Sequence, residues 1–586
     1  MLRIKGFLLC LAVITANGIA GTIAPDLAVM PSGSPVQVIV QYHPGAVPPA
    51  GGICGILMLT ILPGGELCAT TADAAMSLAQ NAMVAHVSVN HVLQGTGAGL
   101  PVYDYMPETI QAAVAAANQG AGVGVAVIDS GIHVNNDLLS GFLNLVPTVW
   151  WNQSFVPGEG PDDYYGHGTH IAGIIAGNGS NSSGNPYLEH IHGVSPGVHL
   201  INLKVLDRNG QSTDSEVIQA IDAAIALKGL LNIRVINLSL GRPVFESYRT
   251  DPLCQEVEKA WNNGIAVVLA AGNAGRDNSA GTLGYATIAA PGNDPLAITV
   301  GAMNTESTPQ RGDDLMTTYS SKGPTLGDHV VKPDLVAPGN KIFSIRASGS
   351  TLETEDPSDI VPVASYVRLP SPNQTSNYMI LNGTSMAAGV TSGAAAAMIG
   401  QAQSQGRALS PDTVKARLMK TATKNFPQTS TITDPATNQT FTIQYDIFTV
   451  GAGYLDLDAA LVSTDSVPAG MNAASPVAVL NGSNVNVVND SSTVWGSSTV
   501  CGSSTVWGSS TVWGSSVWSA NSTVWGSSTV WGSSTVWGSS ASAGYSTVWG
   551  SSTVWGSSTV WGSSTVWGSS TVSGTALNGD PDSGGN

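Results

Sequence analysis

Apolar positions along the first ninety residues follow a two-residue period and then a helical one. Val36, Val38 and Val40 recur at alternate positions and predict a strand. Residues 69–83 (ATTADAAMSLAQNAM) predict a helix, and Val84, His86, Val87 and Val89 a closing strand. Gly95-Thr96-Gly97-Ala98-Gly99 marks a flexible boundary. Beyond it the pattern changes. Short continuous apolar runs occur at 123–128, 200–206, 235–240, 265–271 and 297–301. Between them, residues 215–230 carry Val217, Ile218, Ile221, Ala224 and Ile225 at helical spacing, and a second helix ends over 256–261, stopped by Gly264. Strands apolar on both faces, with helices between them, predict a parallel sheet covered on both sides. Residues 96–463 therefore read as an α/β domain, in which sites gather at the C-terminal ends of strands. Residues 464–490, polar with few charges, read as a linker. Residues 491–574 repeat the hexapeptide Ser-Ser-Thr-Val-Trp-Gly and hold 11 of the 14 tryptophans, and residues 575–586 form a short tail.

Composition narrows the partners. The chain has 586 residues and a formal net charge of −18, which argues against nucleic acid or an anionic membrane as a partner. Five cysteines are too few for a disulfide scaffold. Arg3 and Lys5 precede the apolar run 7–15 (FLLCLAVIT), and Gly18-Ile19-Ala20 offers small residues for cleavage. Residues 1–20 are thus expected to be a secretory signal, which points to bacterial export to the exterior or the cell surface. No later run reaches the roughly 18 apolar residues of a membrane span. With Cys10 lost, Cys54, Cys68, Cys254 and Cys501 remain. Cys54 and Cys68 can pair in an oxidising compartment, although spacing alone does not show it.

Four short motifs carry candidate chemistry. Asp129 ends the apolar run 123–128 and is followed by Ser130-Gly131, a placement that suits either a cleft carboxylate or a turn. His167, in Gly166-His167-Gly168-Thr169-His170, opens an apolar helix, and an imidazole titrating near neutrality is a natural general base. The alternative is a structural or metal-binding histidine, but the His-Glu-x-x-His spacing is absent, and His170 reads as packing. Ser385, in Asn382-Gly383-Thr384-Ser385-Met386-Ala387, precedes a small-residue helix over 389–399. It is either an N-cap or a nucleophile helped by the helix dipole and a neighbouring N–H. Asn273, in Ala270-Ala271-Gly272-Asn273, ends the run 265–271 and is either a turn residue or an oxyanion donor.

Taken together these motifs resemble the subtilisin-type (subtilase, family S8) serine endopeptidases. The Asp…His…Ser order matches, as do DSG at Asp129, HGTHIAG at His167, NLSLG from Asn237, AAGN at Asn273 and NGTSMA at Ser385. HGVSP (192–196), SSKGP (320–324), KPDLVAPG (332–339) and GAGYLDLDAAL (451–461) match too. The resemblance covers residues 100–463. It implies a three-layer α/β fold with a mostly parallel sheet, and protein or peptide substrates. It makes Ser385 the nucleophile, His167 the general base and acid, Asp129 the group that orients the imidazole, and Asn273 with the Ser385 N–H the oxyanion hole. It places Leu238, Ser239, Leu240, Gly241, Ala270, Ala271 and Gly272 along the substrate-binding edges. Residues 21–95 resemble the family's small α+β inhibitory propeptide, so the chain is expected to be a zymogen inhibited by its own propeptide and cleaved near 94–100. Two departures stand out. Gly389 occupies a position where the family usually has proline, and the acidic stretch 347–380 is longer than usual and is expected to edge the cleft. The family's calcium loops are not evident: Asp137 alone is no site, and 178–185 (NGSNSSGN) lacks a carboxylate. No metal or other cofactor is expected, and structural calcium is left open.

The even period of the repeat puts every tryptophan on one face of an extended chain. The tail is then either a β-prone module that self-associates or binds surface glycans, or a flexible low-complexity spacer. A surface-assembly or adhesion protein, in which the protease serves only maturation, is the alternative to a secreted endopeptidase.

Overall fold

The structure, a computed structural model, describes residues 21–89, 106–109, 119–488, 518–519, 572–573 and 579–582, apart from the short stretches 24, 29, 44, 50–51, 55–56, 63–64, 141–144, 435–437 and 482–483. The expected signal (1–20), the cleavage region (94–100), Cys501 and nearly all of the repeat lie outside the described residues. Two compact units divide the chain, Met1–Ala98 and Gly99–Asn586. Among the described residues no helix is long and apolar enough to cross a membrane.

The first unit is a five-stranded sheet in the order Thr22–Ile23, Val84–Val89, Pro35–Tyr42, Gly65–Thr71, Met58–Leu62, with the helix Ala72–Leu78. Val38 and Val40 are buried with Cys68, Ala72, Ala75, Val84 and Val87, so the alternation in the sequence marks the core face. The helix expected over 69–83 is shorter. Residues 69–71 instead complete a strand that pairs Thr71 with Pro35 and Ala69 with Gln37. Continuing the ladder along Pro35–Gln37 outweighed the local helical pattern there. The strand Met58–Leu62, which the sequence reading missed, pairs with Gly65–Thr71. Cys54 and Cys68 form a disulfide, while Cys254 is free and buried.

In the second unit the elements are β1 (Gly124–Asp129), β2 (Val149–Ser154), α1 (His167–Ala176), β3 (His199–Lys204), α2 (Asp214–Leu231), β4 (Ile233–Leu238), α3 (Pro252–Asn262), β5 (Ala266–Ala270), β6 (Ile298–Asn304), β7 (Leu335–Pro338) and α4 (Thr384–Ser404). The sheet runs β6-β5-β4-β1-β3-β2 with every pairing parallel; β7 also joins β6 in parallel, and Leu315–Met316 joins it antiparallel. Every residue of β1, β3, β5 and β6 is buried, as expected of strands covered on both faces. The capping box Thr213/Glu216 starts α2, Asp251 caps α3, and Gly264 follows α3 at φ +77°, a left-handed geometry that glycine adopts without a Cβ clash.

Residues 464–490 are not a free linker. Val477–Asn481 pairs with Asn484–Val488, and Val477 bridges Val330. The Val331 N–H donates to Pro476 O, and the buried Ser475 hydroxyl bonds the Asp334 carboxylate. This strap covers Lys332, Asp334 and Lys415, an ion cluster with no exposed side-chain surface.

Candidate active site

Asp129 is the last residue of β1 and is fully buried. Its carboxylate faces the His167 imidazole, with Nδ1 2.8 Å from Oδ1 and 3.0 Å from Oδ2. His167 is the first residue of α1, which can approach β1 closely because position 168 is glycine: a Cβ there would fall 2.2 Å from Gly131 O. Burial on its own disfavours the imidazolium. The charge of Asp129, with Asp163 beyond it, outweighs burial and holds the His167 pKa above its ordinary value. His167 Nε2 is buried and has no hydrogen-bond partner among the described residues.

The motif reading missed Asp163. Its Oδ1 accepts from the Ser130 hydroxyl (2.8 Å), the Tyr165 N–H (3.1 Å) and the Gly166 N–H (2.7 Å). Its Oδ2 accepts from the Thr169 N–H (2.8 Å) and hydroxyl (2.6 Å). Ser130 in turn accepts the Gly168 N–H at 2.8 Å. One fully buried carboxylate thus ties the first turn of α1 to the end of β1. Burial pushes its carboxyl pKa up against these donors. The only signal in the sequence was an acid four residues before His167.

Ser385 is the second residue of the 21-residue α4. The helix therefore begins earlier than the 389–399 expected. The Ser385 hydroxyl donates to Ser239 O at 3.1 Å, and the Ser239 hydroxyl donates back to Ser385 O at 2.9 Å. Asn237 of β4 donates to the Ser392 hydroxyl at 3.0 Å, fixing α4 on the sheet. Asn273 Oδ1 accepts from both the N–H and the hydroxyl of Thr384, each at 3.0 Å. This orients its Nδ2 toward Gly383, 3.4 Å from the position of a Cβ there.

Beside Ser385 lies a cavity of about 270 Å³, lined by Ser239, Leu240, Gly241, Ala270, Gly272, Asn273, residues 286–289 and others. Leu238 and Ala271 do not line it. Leu238 points into the sheet core, and the Ala271 backbone is committed to Val300 O and the Ala289 N–H. The residues that line the cavity from this region, Ser239–Gly241, follow the end of β4, whereas Leu238 is still a strand residue packed in the sheet. His170 is buried and bridges Ile342 O and Met379 O; burial pulls its pKa down to about 3. The acidic insertion packs next to His167, where the Thr351 and Leu352 N–H groups bond Tyr164 O and Tyr165 O. Its Glu353 pairs with Arg346. Asp137 is buried and accepts from the Tyr378 hydroxyl and the Asn181 N–H, each at 2.6 Å.

The parallel α/β sheet thus carries a buried aspartate–histidine pair at the end of β1 and the start of α1, while a helix-terminal serine and a side-chain amide line one cavity. The sequence model of the subtilase family (Peptidase_S8) matches residues 120–441. The chain is 35% identical over 315 residues to serine protease AprX of Bacillus subtilis, covering 52% of this chain and 62% of that one. It is 34% identical over 306 residues to subtilisin DY of Bacillus licheniformis (52% and 85%), and 38% identical over 233 residues to a Bacillus pumilus subtilisin (39% and 70%). The chain belongs to the subtilase family, and it spans about three-fifths of the length of AprX.

Proposed function

We propose that the protein is an exported serine endopeptidase, made as a zymogen, that cleaves peptide bonds through Asp129, His167 and Ser385. The observation that carries this reading is the buried Asp129–His167 pair at 2.8 Å, with Nε2 unpartnered among the described residues, on a helix that packs against α4. In the proposed cycle, Ser385 exchanges Ser239 O for His167 Nε2 as the acceptor of its proton. Oγ attacks the scissile carbonyl carbon, and Nε2 takes the hydroxyl proton and then delivers it to the leaving amine. Asp129 holds Nδ1–H and stabilises the imidazolium. Asn273 Nδ2 and the Ser385 N–H receive the oxyanion, the latter aided by the α4 N-terminus. Water, activated by the same histidine, frees the acyl group.

The cavity suits an apolar side chain. Leu240, Ile288 and Ala289 line it, and the guanidinium of Arg242 is engaged by Asp214 (2.8 Å) and Asp251 (2.9 Å). Residues 21–95 are read as the inhibitory propeptide; support comes from their separate compact α+β fold.

The test is a fluorophosphonate probe applied to wild type and Ser385→Ala, with intact mass read in parallel. Labelling of wild type alone, with mass lost near residue 95, is expected. A fully processed wild type that stays unlabelled would overturn the triad assignment.

A further inference from the structure

Residues 579–582 do not trail from the domain. The Asp580 side chain is fully buried, and its Oδ1 accepts from Arg276 Nη2 and the Thr318 hydroxyl, both at 2.7 Å. Its Oδ2 accepts the Thr318 N–H at 2.6 Å. Asn340 reads its backbone from both sides: the Asp580 N–H donates to Asn340 Oδ1 (2.8 Å), and Asn340 Nδ2 donates to Asp580 O (2.9 Å). Asp582 pairs with Lys341 Nζ and accepts from the Ser307 hydroxyl, each at 2.8 Å. A Cβ at 579 would lie 2.2 Å from Asn382 Oδ1, so a larger residue there displaces that side chain. A buried carboxylate with a charged partner and two further donors, beside a backbone read in both directions, is a specific peptide-recognition geometry.

Its position matters. Arg276 follows Asn273 by three residues, and Asn382 precedes Ser385 by three. Asn382 Oδ1 also accepts the Lys341 N–H (2.7 Å), and the Gly383 N–H donates to Gly339 O (2.8 Å), so the docked segment rests on the same loops that position the nucleophile and its amide. A few residues upstream, Val572–Ser573 adds antiparallel to Gln211–Ser212. The neighbouring Gly210 abuts the Tyr165 ring, two residues before His167. The C-terminal segment is therefore anchored on the histidine side and on the serine side of the cleft. Pairing with an exposed edge is how extended peptides commonly bind.

We propose that Arg276, Thr318, Asn340 and Lys341 form a binding site for an acidic Asp-Pro-Asp peptide, filled by the chain's own residues 580–582, and that this occupancy competes with extended substrates. The competition rests on the endopeptidase reading above; the docking does not. The described segments on either side of the repeat, 477–488 and 579–582, both dock on the domain.

The experiment compares full-length wild type with Asp580→Ala/Asp582→Ala. Hydrogen exchange at the Thr318 amide is expected to quicken at least about tenfold once its acceptor is gone. kcat/KM for an internally quenched peptide extending on both sides of the scissile bond is expected to rise about tenfold, while fluorophosphonate labelling stays unchanged. The free hexapeptide Leu-Asn-Gly-Asp-Pro-Asp added to the variant should restore both values, and its Asn-for-Asp version should not. Unchanged Thr318 exchange overturns the docking. Faster exchange with unchanged peptide turnover in labelled enzyme overturns the competition. If neither protein is labelled, the endopeptidase reading has failed and the competition fails with it, whereas Thr318 exchange still decides the docking.

Discussion

At the residue scale, two buried carboxylates act on one imidazole in different ways. Asp129 touches Nδ1, whereas Asp163 sets the position of the helix that carries the ring. Both raise the His167 pKa against burial. Catalysis needs the neutral imidazole, so the acid limb of kcat/KM is expected above the ordinary histidine value. Asp163→Asn should move that limb down, and a pH–rate profile reads it. The sign for stability is the reverse. A raised folded-state pKa contributes stability that is complete below the unfolded value and is lost as pH rises through the folded one. This histidine therefore favours folding on the acid side and catalysis on the alkaline side. Asn273→Ala is expected to lower kcat by about 10²–10³ with KM little changed, the magnitude known for the equivalent loss in subtilisin. Steady-state kinetics on a chromogenic peptide checks it.

At the element scale, α4 depends on small residues where it meets its neighbours. At Gly389 a Cβ would lie 3.2 Å from Ile174 Cγ2, a contact that a small shift of α1 relieves. At Gly393 it would fall 2.6 Å from Val194 Cβ, which has no free end to move. Gly393→Ala is accordingly expected to cost about 1–3 kcal/mol, while at Gly389→Ala the helix-propensity gain of about 1 kcal/mol offsets the crowding. Thermal unfolding of the two variants separates them. The departure at Gly389 thus removes no support from Ser385 and leaves room for Ile174. In the N-terminal unit, Cys54 and Cys68 close a loop across a separation of 14 residues. Opening it with Cys54→Ser/Cys68→Ser should destabilise that unit by about 3 kcal/mol, seen as faster amide exchange over Pro35–Tyr42.

At the scale of the whole molecule, long-range contacts close the catalytic unit in ways that the local pattern conceals. The strap over Lys332, Asp334 and Lys415 is one. Asp334→Ala would leave two buried ammonium groups without their carboxylate, and a loss of about 3–5 kcal/mol is expected in denaturant unfolding. The clasp at Asp580 is another. The alternation of strands and helices, the parallel sheet, and the positions of Asp129, His167 and Ser385 at element ends were legible in the sequence, because each signal sits within a few consecutive residues whose periodicity or turn chemistry is local. Where each strand gives way to the loop that lines the cavity was not legible, and Leu238 and Ala271 are not among the residues lining it. Nor was Asp163, whose role exists only once α1 folds back over β1. The helix ends at 69–71 yielded to cross-strand pairing, and the strap looked like a linker because its partners lie far away in sequence, 54 residues in one bond and 141 in another. The sequence by itself thus determined the fold class and the motifs that single out Asp129, His167, Asn273 and Ser385 as candidates, since hydrophobic period and short motifs are properties of neighbouring residues. Only the tertiary structure decided which carboxylates share a histidine, which side chains face the cavity and where the C-terminal aspartates dock, because burial and hydrogen-bond partnership arise between residues that meet only when the chain is folded.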